Sequence, residues 1–230
     1  MQLSILKQAL AVMVKAPIPG RVKTRLCPPL TPEMAAELYR CFLIDIFKRV
    51  AQLPRVNKII GYTPEGTQAT FRNLLPSRDF EFIPQRGQDL GERMANLFED
   101  LFRSGYTSIS LIGSDCPHLL LEFLQKSLDY LKNPDVEVVL GPSEDGGYYL
   151  VGLSRPQPEI FQGIPWSTDK VLTETLNRIH QLGLKVALLS PWYDIDTLED
   201  LKKLAKEELK QPGKDLPLET LGFLRKHLKI

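Results

Sequence analysis

Histidine and cysteine are scarce in this chain, three of each in 230 residues. His118, His180 and His227 share no ligand spacing, so no zinc site is read from them. Cys27, Cys41 and Cys116 form neither a CxxC pair nor a disulfide framework, which fits a reducing compartment and a cytoplasmic protein. Cys116 is a weak candidate nucleophile, because no histidine is placed by sequence to activate it. An excess of one charge is also missing: Lys+Arg 29 against Asp+Glu 28 leaves a net charge of +1. That removes the electrostatic case for nucleic acid or an anionic membrane as partner. No apolar run approaches the roughly 20 residues of a membrane span. The first residues lack the charged-then-apolar plan of a signal peptide. Internal repeats and low-complexity segments are absent as well.

What remains is an ordinary globular composition, 43% hydrophobic, in a length that suits one domain spanning 1–230. Short apolar runs alternate with amphipathic stretches almost throughout. The runs are Ala9–Val14, Val56–Tyr62, Phe80–Ile83, Ile109–Ile112, Val136–Leu140, Tyr148–Leu153 and Leu184–Leu189. This alternation predicts a three-layer α/β/α fold with a mostly parallel central sheet. The close spacing of the strands on either side of Gly141–Gly152 predicts a local antiparallel element. Thr31, followed by Pro32 and Glu33, predicts a capped helix start, and Asp196 or Thr197 a cap for a later one. From about residue 202 the chain alternates charge with leucine and reads as a tail of solvated helices.

Five loops carry the chemistry. Ile109–Ile112 reads as a strand buried on both faces, and Gly113, Ser114, Asp115, Cys116 and Pro117 follow it directly. Asp115 therefore sits just past the carboxyl end of a central strand, where open α/β sheets put their ligands. It can hold a divalent metal or cap the next helix, which Pro117 would open. Pro19 and Gly20, after the first strand, precede Arg21, Lys23 and Arg25. Backbone N–H groups and converging cations suit phosphates there, and a solvated basic turn is the plainer alternative. No G-K-[ST] follows the glycine, so this is not a Walker A loop. Gly91 and Arg93 lie in a turn entering a helix. Asp145, Gly146, Gly147 and Tyr148 form a glycine-paired acidic loop, and glycine pairs admit close approach of a substrate or another backbone. Trp166, Ser167 and Thr168 precede one more helix; Trp166 also suits a core or rim position.

Taken together, these strings resemble the CofC-like, glycosyltransferase-like family within the GT-A nucleotide-diphospho-sugar transferase superfamily. The matching strings are Pro19–Leu26, Asp89–Met94, Gly113–Pro117, Glu144–Tyr149, Trp166–Thr168 and Asp194–Thr197. The resemblance implies a Rossmann-like GT-A fold that binds a nucleotide on its amino-terminal half. It implies phosphate contacts from Pro19, Gly20, Arg21, Lys23 and Arg25, with Gly91 and Arg93 on the nucleotide as well. It puts a Mg2+ or Mn2+ ion on Asp115 and Asp196. Gly146, Gly147, Tyr148, Trp166, Ser167 and Thr168 would bind substrate, and Lys23, Asp115 and Asp145 would be catalytic.

Three functions are compatible with this set. A nucleotidyltransferase would join an NTP to a small phosphorylated or carboxylate acceptor, and three cations in the first loop favour a triphosphate. A glycosyltransferase would use an NDP-sugar. A non-catalytic nucleotide-binding regulator would need neither step. Asp145 can serve as a base or as an acceptor contact.

Overall fold

A computed structural model describes residues 7–210 and 216–229. Its strands are β1 (Gln8–Lys15), β2 (Asn57–Thr63), β3 (Phe80–Pro84), β4 (Ser108–Ile112), β5 (Val138–Pro142), β6 (Tyr148–Leu153) and β7 (Val186–Leu188). They form a single sheet in the order β3-β2-β1-β4-β6-β5-β7. β1 runs parallel to both β2 and β4, and β2 parallel to β3. β6 is antiparallel to both its neighbours, β4 and β5, while β5 is parallel to β7. The expected local antiparallel element is thus a hairpin set into a mostly parallel sheet.

Helices α1 (Pro32–Ala51), α2 (Gln68–Arg72), α3 (Leu90–Arg103), α4 (Leu121–Tyr130), α5 (Val171–Gln181), α6 (Leu198–Lys210) and α7 (Leu218–His227) complete the described architecture. Strand side chains alternate between the two faces of a sheet. Accordingly Leu10, Val12 and Val14 of β1 pack with α1, α4, α6 and α7, whereas Ala9 and Ala11 face α3 and α5. Both faces are covered, so β4 and β5 are buried at every position. Ser110, the one polar residue within Ile109–Ile112, is buried too, and its hydroxyl pairs with that of Ser127.

Local signals set several element ends. The Thr31 hydroxyl accepts from the Met34 N–H and starts α1 with Pro32 in its first turn. Asp89 accepts from the Glu92 N–H, and the Glu92 carboxylate accepts in return from the Gln88 N–H, closing the first turn of α3. Thr197, and not Asp196, caps α6: its hydroxyl accepts from the Asp200 N–H, and the Asp200 carboxylate receives the N–H groups of Asp196 and Thr197.

Three expectations change. The helix after Asp115 begins at Leu121, so Pro117 lies in the connecting turn. β7 is only three residues long and forms a sheet edge, with Val186 and Leu188 exposed. The tail is not a pair of solvated helices. Leu201, Leu204 and Ala205 of α6 are buried, and so are Thr220, Leu221, Phe223 and Leu224 of α7, which packs on α1. Asp45 of α1 accepts from the N–H groups of Glu219 and Thr220 and from the Thr220 hydroxyl, fixing the α7 start. The charged residues between these apolar positions hide the stripe when the tail is read linearly. Among the described residues, no helix is long and apolar enough to cross a membrane.

Candidate active site

The strand order reverses at β1, whose neighbours are β2 on one side and β4 on the other. Loops leaving the carboxyl ends of β1 and β4 diverge there and open a crevice. A cleft of about 780 Å³ lies at this place. Its wall includes Arg21, Lys23, Arg25, Arg93, Asp115, Asp145, Gly147, Tyr148, Trp166, Ser167, Thr168 and Asp196. The predicted loops therefore meet in one space.

Lys23 is the centre of the arrangement. Its side chain is only 3% exposed, although it leaves a surface loop. The ammonium Nζ lies 2.5 Å from Asp115 Oδ1 and 3.0 Å from Asp196 Oδ1, and it donates to the Ile195 carbonyl at 2.7 Å. The Phe42 ring covers a further side, its centroid 5.3 Å away. Burial alone would lower the pKa of this ammonium. Asp115 and then Asp196 outweigh burial and hold it above the ordinary lysine value. Asp115 and Asp196 are thus brought to one point from separate loops, one after β4 and one before α6. Arg25 reaches Asp196 Oδ2 at 3.4 Å from the solvent side, with 73% of its side chain exposed.

The loop that delivers Asp196 is held by backbone. Trp192 N–H donates to the Pro142 carbonyl, Glu144 N–H to the Trp192 carbonyl, and Ile195 N–H to the Asp115 carbonyl at 2.9 Å. Asp194 points inward. Its carboxylate accepts from the Cys116 thiol at 2.7 Å and from the Ser143 hydroxyl at 3.0 Å, tying the ends of β4 and β5 to this loop. Burial raises its carboxyl to about 6. Burial, with Asp194 beside it, also pushes the Cys116 thiol well up, so it is a packing group and not a nucleophile. Tyr39 braces the other side: its hydroxyl lies 2.6 Å from the Ser114 hydroxyl and accepts from the Lys15 N–H. Gln85 donates to the carbonyls of Val14 and Gly61, filling the gap past β1 and β2. Asp194 lies in a matching string but the sequence assigns it no role, and it assigns none to Tyr39 and Gln85 either, since a lone polar residue beside a strand end carries no spacing signal.

On the other side of the cleft, Asp145 Oδ1 accepts from the Gly147 N–H at 2.9 Å, an Asx turn that holds its own loop. Trp166 stands edge-on to Tyr148, ring centroids 6.4 Å apart. The Tyr148 ring lines the cleft, but its hydroxyl is buried, so only the ring face is offered to a ligand. Arg93 Nε donates to the Gly87 carbonyl, leaving the guanidinium tip on the wall. Thr168 donates to the Pro165 carbonyl and so braces the Trp166 turn.

Four expected ligand contacts are absent from the wall: Pro19, Gly20, Gly91 and Gly146. Pro19 and Gly20 shape the turn before Arg21. A Cβ on Gly91 would come 2.7 Å from the Trp166 indole nitrogen, and one on Gly146 would come 2.2 Å from the Asp169 carbonyl oxygen. Those two glycines let the Trp166–Asp169 segment close down on the cleft.

Asp115, Asp196 and the Ile195 carbonyl are oxygen donors of the kind a Mg2+ or Mn2+ ion takes. They converge on the point that Lys23 Nζ fills, so the set fits such an ion only with the ammonium moved aside. Among the described residues, no group of three or more His, Cys, Asp or Glu gathers in a metal-ligating arrangement.

The sheet order, the crevice and its loops define the GT-A-like fold of the nucleotide-diphospho-sugar transferases and cytidylyltransferases. The CMP:2-keto-3-deoxy-manno-octonic acid synthetase complexed with CTP superposes with a TM-score of 0.58 at 12% identity, over 89% of this chain and 100% of that one. A cytidylyltransferase from Leptospira borgpetersenii serovar Hardjo-bovis gives 0.57 at 12% identity, over 97% and 96% of the two chains. These share the fold. Far nearer is a protein from Desulfovibrio desulfuricans G20, described as a candidate nucleotide-diphospho-sugar transferase. It is 33% identical over 96% of this chain and 95% of its own, with a TM-score of 0.88. No functionally curated protein matches. The chain belongs to the DUF2064 family, described as an uncharacterized protein conserved in bacteria, which matches residues 46–168.

Proposed function

We propose that this protein is a nucleotide-using transferase, and specifically a nucleotidyltransferase. It would join a nucleoside triphosphate to a small phosphorylated or carboxylate acceptor and release pyrophosphate. The observation that carries this is the pairing, across one cleft at the sheet's switch point, of the Arg21–Arg25 loop with Asp115 and Asp196. The triphosphate would lie along that loop, where Arg21, Arg25 and Lys23 offset its charge. The acceptor would sit toward Asp145, Trp166 and the Arg93 guanidinium, whose cation suits an anionic group. An acceptor oxygen would attack the α-phosphorus. A new P–O bond forms there, the bond to the bridging oxygen breaks, and pyrophosphate leaves with the electron pair. Asp115 and Asp196 would hold a Mg2+ or Mn2+ ion when it is bound, and the ion would supply charge neutralisation at the phosphates. The protein's own part is positioning, since phosphoryl chemistry asks little covalent help of it.

The relative at 33% identity favours a second reading, glycosyl transfer from an NDP-sugar. One assay separates the two. Each NTP and a set of NDP-sugars are incubated with Mg2+ or Mn2+ and pooled phosphorylated and carboxylate acceptors, and pyrophosphate and NDP are measured. Pyrophosphate from one NTP, lost in Asp115→Asn, is the expected result. NDP from an NDP-sugar, with no pyrophosphate from any NTP, replaces this reading with glycosyl transfer.

A further inference from the structure

An ammonium has three N–H donors and no acceptor. Around Lys23 Nζ stand three oxygens within hydrogen-bonding distance, those of Asp115, Asp196 and Ile195, and an aromatic ring covers a further side. Every donor therefore has its partner. A divalent ion wants about six oxygens at shorter range, and it cannot share the point with a positive charge already seated there. The Lys23 backbone is also committed to this contact: it lies in the left-handed region, φ 47°, which non-glycine residues seldom adopt. Such a conformation persists where the surroundings over-determine it, and here the buried side chain does so.

We infer that Lys23 is the resident cation of the Asp115–Asp196 site. In the nucleotide-free protein it excludes a divalent ion from those carboxylates, and the ion enters only together with phosphates that draw Lys23 away. The second half of this inference rests on the nucleotide reading above; the first half does not. The site thus passes from a protein cation to a metal when substrate arrives. This assigns Lys23 a place as competitor for the ion in addition to phosphate ligand. The ion and the triphosphate then bind with positive coupling, because each removes a competitor of the other.

Mn2+ titration of the nucleotide-free protein, read by the paramagnetic resonance of free Mn2+, tests the first half without any nucleotide. Wild type should show no binding that Asp196→Asn abolishes. Lys23→Met should bind Mn2+ at least about tenfold more tightly than wild type, about 1.4 kcal/mol, and Lys23→Met/Asp196→Asn should lose that gain. Circular dichroism confirms that the variants are folded. Wild type that binds Mn2+ as tightly as Lys23→Met, in an Asp196-dependent way, overturns the inference. Anomalous diffraction from wild-type crystals grown with Mn2+ gives the same decision with no variant. An anomalous peak between Asp115 and Asp196 overturns it, and a lysine ammonium there with no peak supports it. The coupling is read separately, from Mn2+ affinity with and without a non-hydrolysable NTP. No gain on adding nucleotide, with the variants behaving as expected, removes the nucleotide reading and leaves the resident cation standing.

Discussion

Lys23 and His118 are both buried titratable bases, and the two ends of one loop, residues 192–196, cover them. Burial acts on them in opposite ways. Lys23 has three oxygens around its nitrogen and stays charged. His118 is packed against the rings of Trp192 and Tyr193, with neither ring nitrogen hydrogen-bonded. Burial, then the nearby charges of Arg49 and Lys203, lower its pKa to about 3, so it stays neutral. Desolvation disfavours charge at both places, and the partner set decides the outcome. One end of the loop is built to hold an ion, the other to fill space.

The largest effect should come from stranding the charge at the first end. Asp115→Asn/Asp196→Asn leaves the Lys23 ammonium without an anionic partner, and an uncompensated buried charge costs about 3 kcal/mol. Urea unfolding at pH 7 should show that loss. Asp115→Asn by itself leaves Asp196 in place and should cost about 1 kcal/mol or less, because both carboxylates are partly solvated. A double variant as stable as wild type would mean that Lys23 does not keep its buried charge.

At the other end the effect depends on pH. Unfolded His118 takes up a proton below about 6.5, and folded His118 does not until about pH 3. Its contribution to stability is therefore complete above pH 6.5 and is lost as pH falls toward 3. By pH 5 that amounts to about 2 kcal/mol. His118→Phe removes the proton site, so its stability should fall less than that of wild type between pH 7 and pH 5. An equal loss of stability in the two proteins between pH 7 and pH 5, measured by urea unfolding, would show that His118 takes up its proton in the fold.

The smallest effect on stability lies at the exposed rim of the lysine cluster. Arg25→Gln gives up a long, solvated contact to Asp196, so unfolding should shift by no more than about 0.5 kcal/mol. Its NTP affinity, measured by calorimetry, should drop about tenfold, with a smaller drop for the NMP. Equal losses for both nucleotides would move Arg25 off the terminal phosphates.

The contrast also shows what could be read in advance. Lys23 and Asp115 each follow a parallel strand, and residues in that position point to the crevice in any open α/β sheet; Asp196 reads as a helix cap, and only the family resemblance pairs it with Asp115. His118 carries no such mark; the linear reading could say only that it has no ligand spacing. Gly91 and Gly146 looked like ligand contacts because close approach was evident, but the approaching partner is the chain's own Trp166–Asp169 segment. Asp194 and Asp196 are two residues apart and of the same residue type. One is buried against Cys116 and Ser143, and the other faces the cleft.

The sequence by itself determined the layered α/β architecture, because buried strands and amphipathic helices have different hydrophobic periods. It also determined which loops end at the crevice. Tertiary structure alone decided that the tail folds onto α1, since the apolar stripe of α7 has meaning only beside the face it covers. It alone decided that Lys23 lies on two carboxylates instead of in solvent. Those oxygens come from loops far apart in the chain, and only the parallel pairing of β1 with β4 and the backbone bonds of the 192–196 loop bring them to one point.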